Sequence, residues 1–403
     1  MTSRFSFRVD HRVAILVACA ALLAVIALVC RDLPTSDYPL DLRVYLLGGQ
    51  HAWRGDSLYS TSVRIRQYGF TYPPFAAVLF SALSRIPMSF AFAIVTSVSV
   101  VCLGVVLRLS TVQLRKGESR LSSRSAALVI LGMAAFEPVR TNLWNGQINI
   151  VLAALILLDL TGAVPARYAG MLTGLATAVK LTPAIFVLYL FIRGRRDQAK
   201  NAVGAFSVAT LTTFAVTPKN SLRYWTSELL SGGGIGDIRR GQNHSLNGLA
   251  QRSLQSGATE AWIVLAALAG LAGLLLATRV SLLGHEVLSL GLVGLTGCLV
   301  SPVSWSHHWT WFIPCFAGVI GWAADSTLAV RSWLIATATY LIGVNLVPPG
   351  WVSAHSVPRA INNYAYLAIT LGLFGLLAFS IRQRRGFKES VIQDDSRGAS
   401  PTS

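Results

Sequence analysis

Long apolar runs constrain this chain more than any other feature of its sequence. Residues 13–30, 88–107 and 363–381 form runs close to the roughly 20 residues that a helix needs to cross the hydrocarbon core of a membrane. The chain is 53% hydrophobic and 13% charged, which is too apolar for a soluble domain of 403 residues. No stretch alternates in the manner of a membrane β-barrel strand. We therefore predict an all-α, polytopic membrane protein.

The net charge of +17 raises the question of nucleic-acid binding. The Lys and Arg residues lie in short blocks between the apolar runs, as orientation signals of membrane proteins do, and we exclude nucleic acid as a partner. Four of the five cysteines lie inside apolar runs and the fifth, Cys30, ends one. Their spacing predicts neither a disulfide nor a zinc site.

The basic blocks also predict the orientation. Arg4, Arg8 and Arg12 precede the first run, which is similar to a signal peptide but has no persuasive cleavage site. We interpret it as a retained first helix with its amino end inside. The apolar piece at residues 75–86 is too short to span, and we interpret it as a juxtamembrane or re-entrant helix with Pro74 in its first turn.

This interpretation predicts about twelve transmembrane helices with both termini in the cytoplasm. Residues 1–385 form one transmembrane domain, and residues 386–403 form a disordered cytoplasmic tail. The predicted outer loops are residues 31–87, 140–147, 218–260, 301–307 and 348–362. After the first, the predicted helices are residues 88–107, 125–139, 148–160, 168–179, 183–192, 201–217, 261–278, 285–300, 308–323, 332–347 and 363–381.

The unusual polar and aromatic motifs all fall on the predicted outer side. A pore or a proton pump would instead place ionisable groups along several helices near the middle of the membrane. This gathering favours chemistry at the outer surface. The motifs are DLRVY (41–45), FTYPPFA (70–76), EPVRTNLWNGQIN (137–149), KLTP (180–183), NHSLNG (243–248) and SPVSWSHHWTW (301–311).

In this order, the motifs resemble glycosyltransferase family 87 of the GT-C superfamily. The resemblance is closest to the polyprenyl-phosphate-mannose-dependent α-(1→2)-mannosyltransferases that extend phosphatidylinositol mannosides and related lipoglycans. FTYPPFA, NGQIN after EPVR, KLTPA and SP-x-SW-x-HHW are its most specific parts. It implies a GT-C fold, a mannose or pentose donor on a lipid phosphate, a glycolipid acceptor, and inverting transfer outside the cytoplasmic membrane without a metal or cofactor. It also implies that Asp41 of DLRVY is the catalytic base.

The residues themselves agree with such a reaction. Inverting transfer needs a carboxylate within about 2.6 to 3.2 Å of the acceptor hydroxyl and positive or donor groups on the leaving phosphate. Asp41 fits the first role, with Asp37 as the second candidate, although capping a helix or pairing with Arg43 is an alternative role for Asp41. The candidates for binding the donor phosphate or sugar are His307, His308, Lys180 and Arg140.

Lys180 lies between two apolar half-helices, where a lysine is costly to place. It should therefore face a polar cavity or an anionic headgroup, and the alternative is that it extends to the surface. His307 and His308 point about 100° apart on a helix, so one can be functional while the other packs. With no HExxH or DxD motif, the sequence predicts no metal site.

Amide and aromatic side chains of the same motifs predict the remaining cavity wall. Each amide has the alternative role of stabilising its own loop, and Trp305 has that of an interfacial aromatic residue. The predicted acceptor-binding or cavity-lining residues are Tyr45, Tyr72, Pro73, Asn145, Gln147, Asn149, Asn243 and Trp305.

Three alternatives to a mannosyltransferase remain at this stage. An arabinofuranosyltransferase using polyprenyl-phosphate arabinose would have the same fold and base. A flippase or transporter of lipid-linked sugars predicts internal repeats and polar residues at mid-depth, which the sequence does not show clearly. A scaffold protein would have no reason to gather an acid, a lysine and histidines on one side. The sequence leaves the identity of the acceptor open.

Overall fold

The computed structural model describes residues 39–60, 64–112, 123–229, 234, 236–322, 328–344 and 356–398. The first predicted helix, at residues 13–30, and the alternative base Asp37 lie outside the described residues. The described chain is mainly helical, with a short antiparallel hairpin in which β1 (Arg64–Ile65) pairs with β2 (Tyr68–Gly69).

The helices are numbered here in chain order. They are α1 Leu40–Arg54, α2 Pro74–Leu83, α3 Met88–Val112, α4 Ser123–Ala134, α5 Glu137–Trp144, α6 Asn149–Leu160, α7 Met171–Val179, α8 Ala184–Ile192, α9 Arg196–Val216, α10 Pro218–Arg223, α11 Leu246–Ser253, α12 Ala258–Leu282, α13 Glu286–Val300, α14 Phe312–Trp322, α15 Leu328–Gly343 and α16 Ser356–Gly398. A π-helical turn covers Tyr224–Glu228, and 3-10 helices cover Ala166–Tyr168 and Ser306–Trp311.

Three helices of the described residues are long and apolar enough to cross a membrane alone, at Met88–Thr111, Ala258–Leu282 and Ala360–Gln383. A fourth span results if the bent pair α5 and α6 is counted as one. Several of the twelve predicted spans are therefore shorter helices in the structure. The protein is a multi-pass membrane protein, while the count of twelve and the location of the termini stay predictions.

The core lies around α13, which is buried on nearly all sides. It packs against α12, α14 and α8, as expected of a helix that is apolar all round. By contrast, α12 exposes large apolar side chains along its length, among them Ile263, Leu268 and Leu271. Such a surface is stable against lipid, and not against water.

Residues 40–54 form a helix where the sequence analysis expected a loop. Leu42, Tyr45, Leu46 and Gly49 recur at the spacing of one helix face, and they are buried against α2. Gly55 ends the helix in the left-handed conformation that glycine adopts readily. Asp41 therefore lies in the first turn of a packed helix, which holds its carboxylate in place.

The predicted helix at residues 125–139 is broken into α4 and α5. Pro138 lies in the first turn of α5, where its missing N–H group is tolerated, but it would disrupt a helix continuing from α4. A second break follows at Gly146, and α5 and α6 meet at 117°. Residues 145–148 form the turn between these two helices.

Two short helices flank Lys180, as the sequence analysis predicted. Helices α7 and α8 flank an extended Lys180, and Pro183 precedes the first turn of α8. The tail differs from its prediction, because α16 continues to Gly398 through residues expected to be disordered. Residues 359–398 contain no proline, and Gly386 costs a helix only about 1 kcal/mol relative to alanine.

Candidate functional site

The ends of several short elements surround a cavity of about 270 Å³. Helix α1 supplies Asp41, the α5–α6 bend supplies Gln147, the α7–α8 tip supplies Lys180, and the segment before α14 supplies Trp305 and His308. Tyr72 and Pro73, which precede α2, also line it. Seven predicted site residues, from five separate parts of the sequence, therefore face one space.

Asp41 is the carboxylate of the cavity on the side of α1. Its side chain is 25% exposed, and its Oδ2 lies 3.9 Å from His307 Nε2. Burial raises the pKa of the Asp41 carboxyl to about 6, although the hydrogen bond from Gln147 and the positive charge of Lys180 act in the opposite direction. A carboxylate with a pKa near 6 is a better proton acceptor than an exposed one and is still ionised at neutral pH.

Lys180 is the cation of the cavity, and it is only 8% exposed. Its Nζ donates to Asn149 Oδ1 at 2.8 Å and lies 3.2 Å from His308 Nε2, which must accept because an ammonium can only donate. Nζ also lies 5.5 Å from the centre of the Tyr72 ring. Burial lowers the pKa of Lys180 to about 8, and the charge of Asp41 opposes this effect. At neutral pH the Asp41 carboxylate and the Lys180 ammonium are therefore both charged.

A hydrogen-bonded network fixes the wall between these two charges. The Tyr45 hydroxyl lies 2.7 Å from Gln147 Oε1 and 2.9 Å from the Tyr72 hydroxyl. Gln147 Nε2 lies 3.3 Å from the same Tyr72 oxygen. Because Tyr45 donates to the amide oxygen of Gln147, the amide nitrogen is directed toward Tyr72 and Asp41. Tyr45 and Gln147 thus orient the Asp41 carboxylate.

His307 lies behind Asp41, where it is 7% exposed. Its backbone carbonyl accepts from Asn142 and Asn149, at 3.3 and 3.1 Å. Burial, with a smaller effect from the charge of Lys180, lowers the pKa of His307 to about 3. The imidazole is therefore neutral, and its Nε2 has no hydrogen-bond partner within the described part of the chain.

Six predicted site residues are not among those lining the cavity. Three of them contact it from behind, as just described for Tyr45, Asn149 and His307. The other three are Arg140, Asn145 and Asn243, and each has a different location. The sequence could not distinguish these six residues from the cavity wall, because they belong to the same motifs.

Arg140 and Asn145 both belong to the region of α5. Arg140 is exposed on that helix. Asn145 ends the helix by donating to the Thr141 carbonyl, and its own carbonyl accepts from Leu42 N. Asn145 therefore stabilises the α5–α6 bend and joins it to α1.

Asn243 is completely buried and holds the segment that carries the two histidines. Its Oδ1 accepts from Ser304 N at 2.9 Å and from Ser245 Oγ at 2.9 Å, while His244 N donates to the Ser304 carbonyl. Asn247 Nδ2 adds a bond to the Pro302 carbonyl. The NHSLNG motif therefore positions SPVSW, and its amides are occupied by groups of the protein itself.

Replacing Asn243 with alanine should destabilise the fold, since it leaves the buried Ser304 N–H without its acceptor. The expected loss is about 1 to 3 kcal/mol, measured by thermal unfolding of the purified variant in detergent. Gln251→Ala, in the neighbouring α11, removes one long hydrogen bond of 3.5 Å and serves as the control. Equal unfolding temperatures for Asn243→Ala and wild type would contradict this positioning role.

Part of the cavity wall consists of residues that the sequence analysis did not single out. They come from the segment after α1, from the β-hairpin and from the π-helical turn: Tyr59, Tyr68, Phe70, Tyr224, Glu228 and Leu229. Of these residues only Phe70 belongs to a motif, FTYPPFA, and the others are brought together by tertiary packing. Among the described residues, no three His, Cys, Asp or Glu side chains are grouped as a metal site requires.

Comparisons with known proteins give the same family that the sequence motifs resemble. The family model "Glycosyltransferase family 87" matches residues 70–302. A polyprenol-phosphate-mannose-dependent alpha-(1-2)-phosphatidylinositol mannoside mannosyltransferase of Mycolicibacterium smegmatis is 34% identical over 69% of this chain and 68% of its own length. The protein of the same name in Mycobacterium tuberculosis strain H37Rv is 33% identical over 71% of this chain and 71% of its own length.

Two further similarities extend over more of the chain. A polyprenol-phosphate-mannose-dependent alpha-(1-2)-phosphatidylinositol pentamannoside mannosyltransferase of Mycobacterium tuberculosis strain CDC 1551 is 31% identical over 86% of this chain and 82% of its own. The crystal structure of ArnT from Cupriavidus metallidurans bound to undecaprenyl phosphate aligns with 92% of this chain and 77% of its own, at 14% identity and a TM-score of 0.45.

Proposed function

Since this chain belongs to glycosyltransferase family 87, we propose that it transfers mannose from polyprenyl-phosphate mannose to a phosphatidylinositol mannoside or a related lipoglycan. The linkage formed is α-(1→2), by inversion. The names of its relatives support the donor and the acceptor class. The structural observation that carries the proposal is the meeting of Asp41, Lys180 and His308 at one cavity.

The proposed location is the cytoplasmic membrane, with the cavity on its outer face, twelve spans in one domain and both termini inside. Helix α6 begins at the cavity and ends about 18 Å away, at 1.5 Å per residue. At that far end Arg195 pairs with Glu286 and donates to the Leu160 carbonyl, and Arg193 and Lys200 lie nearby in the sequence. Basic residues concentrate on the cytoplasmic side of membrane proteins, which supports this orientation.

The lipid of the donor requires an apolar path that reaches the cation. A narrow second cavity of about 30 Å³ adjoins the first, and Thr182 and His308 line both. Its other walls include Leu152, Ile185 and Phe186. We place the polyprenyl chain along this apolar side, so that its phosphate lies against Lys180 and His308.

In the proposed reaction, the Asp41 carboxylate takes the proton from the acceptor's 2-hydroxyl while the hydroxyl oxygen attacks C1 of mannose. The C1–O bond to the phosphate breaks, and its electron pair leaves with the polyprenyl phosphate. Attack on a β-linked donor from the opposite face gives the α product. Lys180 stabilises the charge that develops on the leaving phosphate. Gln147 holds Asp41 in position throughout.

The two pKa values predict a bell-shaped pH profile of kcat/KM for mannose transfer. Activity requires Asp41 to be deprotonated, so it is lost as the pH falls through about 6. It also requires Lys180 to be protonated, so it is lost as the pH rises through about 8. Initial rates measured between about pH 5 and 9 test this, and a constant rate across the acid half of that range would contradict the assignment of Asp41. Because Asp41 and Lys180 interact, the two pKa values read from this profile describe the pair and not either residue alone.

The transfer itself is tested with the purified full chain in liposomes. Polyprenyl-phosphate [14C]mannose and phosphatidylinositol mannosides of increasing size are supplied, and the lipid products are separated and analysed. We expect one labelled glycolipid longer by one α-(1→2)-mannose. If no acceptor gains label from the mannose donor, while arabinose is transferred from polyprenyl-phosphate arabinose, the donor assignment is wrong.

A further inference from the structure

One part of the cavity wall has the composition of a sugar-binding surface. Tyr59, Tyr224 and Glu228 all line it. The ring centres of Tyr59 and Tyr224 are 5.5 Å apart, and that of Phe70 is 6.1 Å from Tyr59. Aromatic rings offer flat apolar faces to the C–H groups of a sugar, while a carboxylate accepts hydrogen bonds from its hydroxyls. Neither the family match nor the names of the relatives assign these residues a role.

This wall is held rigidly. Asn220 accepts from Leu58 N at 2.9 Å and donates to the Asp56 carbonyl at 2.9 Å. Arg223 donates to the Tyr59 carbonyl at 2.8 Å, and the Tyr59 hydroxyl donates to the Tyr72 carbonyl at 2.8 Å. The aromatic wall is thereby connected through Tyr72 to the network around Asp41, so both are fixed with respect to each other.

Glu228 is the second carboxylate of the cavity. It ends the π-helical turn that begins with Tyr224, and residues four positions apart in such a turn lie on nearly the same face. Its Oε1 accepts from Arg223 Nε at 2.8 Å, and its side chain is 17% exposed. Isolated π-helical turns are rare in proteins, and those that do occur are often located at functional sites. Here the turn directs Tyr224 and Glu228 into the same space as Asp41.

We propose that Glu228, with the rings of Tyr59 and Tyr224, binds the acceptor sugar through hydroxyls other than the one that reacts. The inference rests on the proposed function and adds to it the residues that select the acceptor. The donor phosphate needs cations, and His308, which contacts Lys180, also lines the narrow second cavity. A carboxylate would repel that phosphate, so the Glu228 wall suits the uncharged sugar of the acceptor.

The first experiment compares Glu228→Gln with wild type in the liposome transfer assay. Loss of the hydrogen bond from a sugar hydroxyl to the charged Glu228 carboxylate should raise the KM for the phosphatidylinositol mannoside about 10- to 100-fold. The KM for polyprenyl-phosphate mannose should change less than about twofold. Glu260→Gln, an exposed acid in the first turn of α12, is the matched control and should resemble wild type.

The second experiment separates recognition from a structural effect of losing the Arg223 pair. Acceptors whose terminal mannose lacks the 3-, 4- or 6-hydroxyl are assayed with both proteins. With one of these analogues, wild type and Glu228→Gln should have the same KM, because the hydrogen bond is absent from both reactions. If the variant is impaired equally with every analogue, or if the donor KM rises in parallel, the subsite is ruled out.

Binding of the same acceptors to both proteins is also measured in nanodiscs without donor. This measurement does not depend on turnover. Weaker binding to Glu228→Gln than to wild type supports the subsite, and equal binding overturns it. Failure of wild type to move mannose to any acceptor would count against the proposed function itself. The two proposals therefore fail in different assays.

Discussion

Asp41→Asn should abolish mannose transfer, lowering kcat by about 10²- to 10⁴-fold, the usual contribution of a general base. The amide keeps the shape of the side chain and the packing of α1, but it cannot take the proton of the acceptor hydroxyl. The side-chain oxygen of the introduced asparagine can still accept from Gln147, so the surrounding network should persist. The measurement is transfer of label in liposomes at matched protein amounts.

Asp56→Asn is the control for this variant. Asp56 lies two residues beyond the end of α1, its side chain is 50% exposed, and it pairs with His51 at 3.7 Å. An exposed pair of this kind contributes little. We expect wild-type transfer from Asp56→Asn and normal membrane insertion of both variants. Activity of Asp41→Asn within about tenfold of wild type would show that another group accepts the proton.

Lys180→Met should lower kcat/KM by about 10²- to 10³-fold, because it removes the buried cation that stabilises the leaving phosphate. Methionine approximates the length of the lysine stem. The substitution leaves Asn149 Oδ1 and His308 Nε2 without their donor, so we expect a loss of stability of about 1 to 3 kcal/mol and compare activities at a temperature where the variant is folded. Lys200→Met, at a position 74% exposed and paired with Asp197, is the control and should retain full activity.

The pH profile of the remaining activity gives a second and independent readout. The Lys180 charge lowers the pKa of Asp41, so its removal should move the acid limb above about pH 6. The alkaline limb near pH 8 should disappear, because the titrating group is gone. An unchanged acid limb would mean that the two charges do not interact across the cavity.

The sequence singled out Asp41 and Lys180 among the charged side chains that line the cavity, and it missed Glu228. Lys180 stood out because a lysine between two apolar helices has few stable locations, and the structure buries it beside Asn149 and His308. The family resemblance singled out Asp41, but its location in the first turn of a helix was missed. The apolar face of α1 is short, and glycines at positions 48 and 49 weaken its periodic pattern.

Other features depend on contacts that a linear pattern does not contain. Asn243 has the same chemistry as a sugar-binding amide, and only its burial against Ser304 shows that its oxygen is occupied. Glu228 belongs to no motif, and the π-helical turn that directs it has no sequence signature comparable to a capping residue. Arg140 shares a motif with Gln147, yet the chain turns at Gly146 between them. Arg140 is therefore exposed on α5, while Gln147 lines the cavity.

The broken helices around the cavity also have a consequence for how the protein enters the bilayer. The segments α5, α6, α7 and α8 contain 8, 12, 9 and 9 residues, each well short of the length that the translocon releases as an independent span. Their insertion should therefore depend on earlier and later helices that shield them from lipid. These four helices would then be inserted late in biogenesis, after the helices around them are in place.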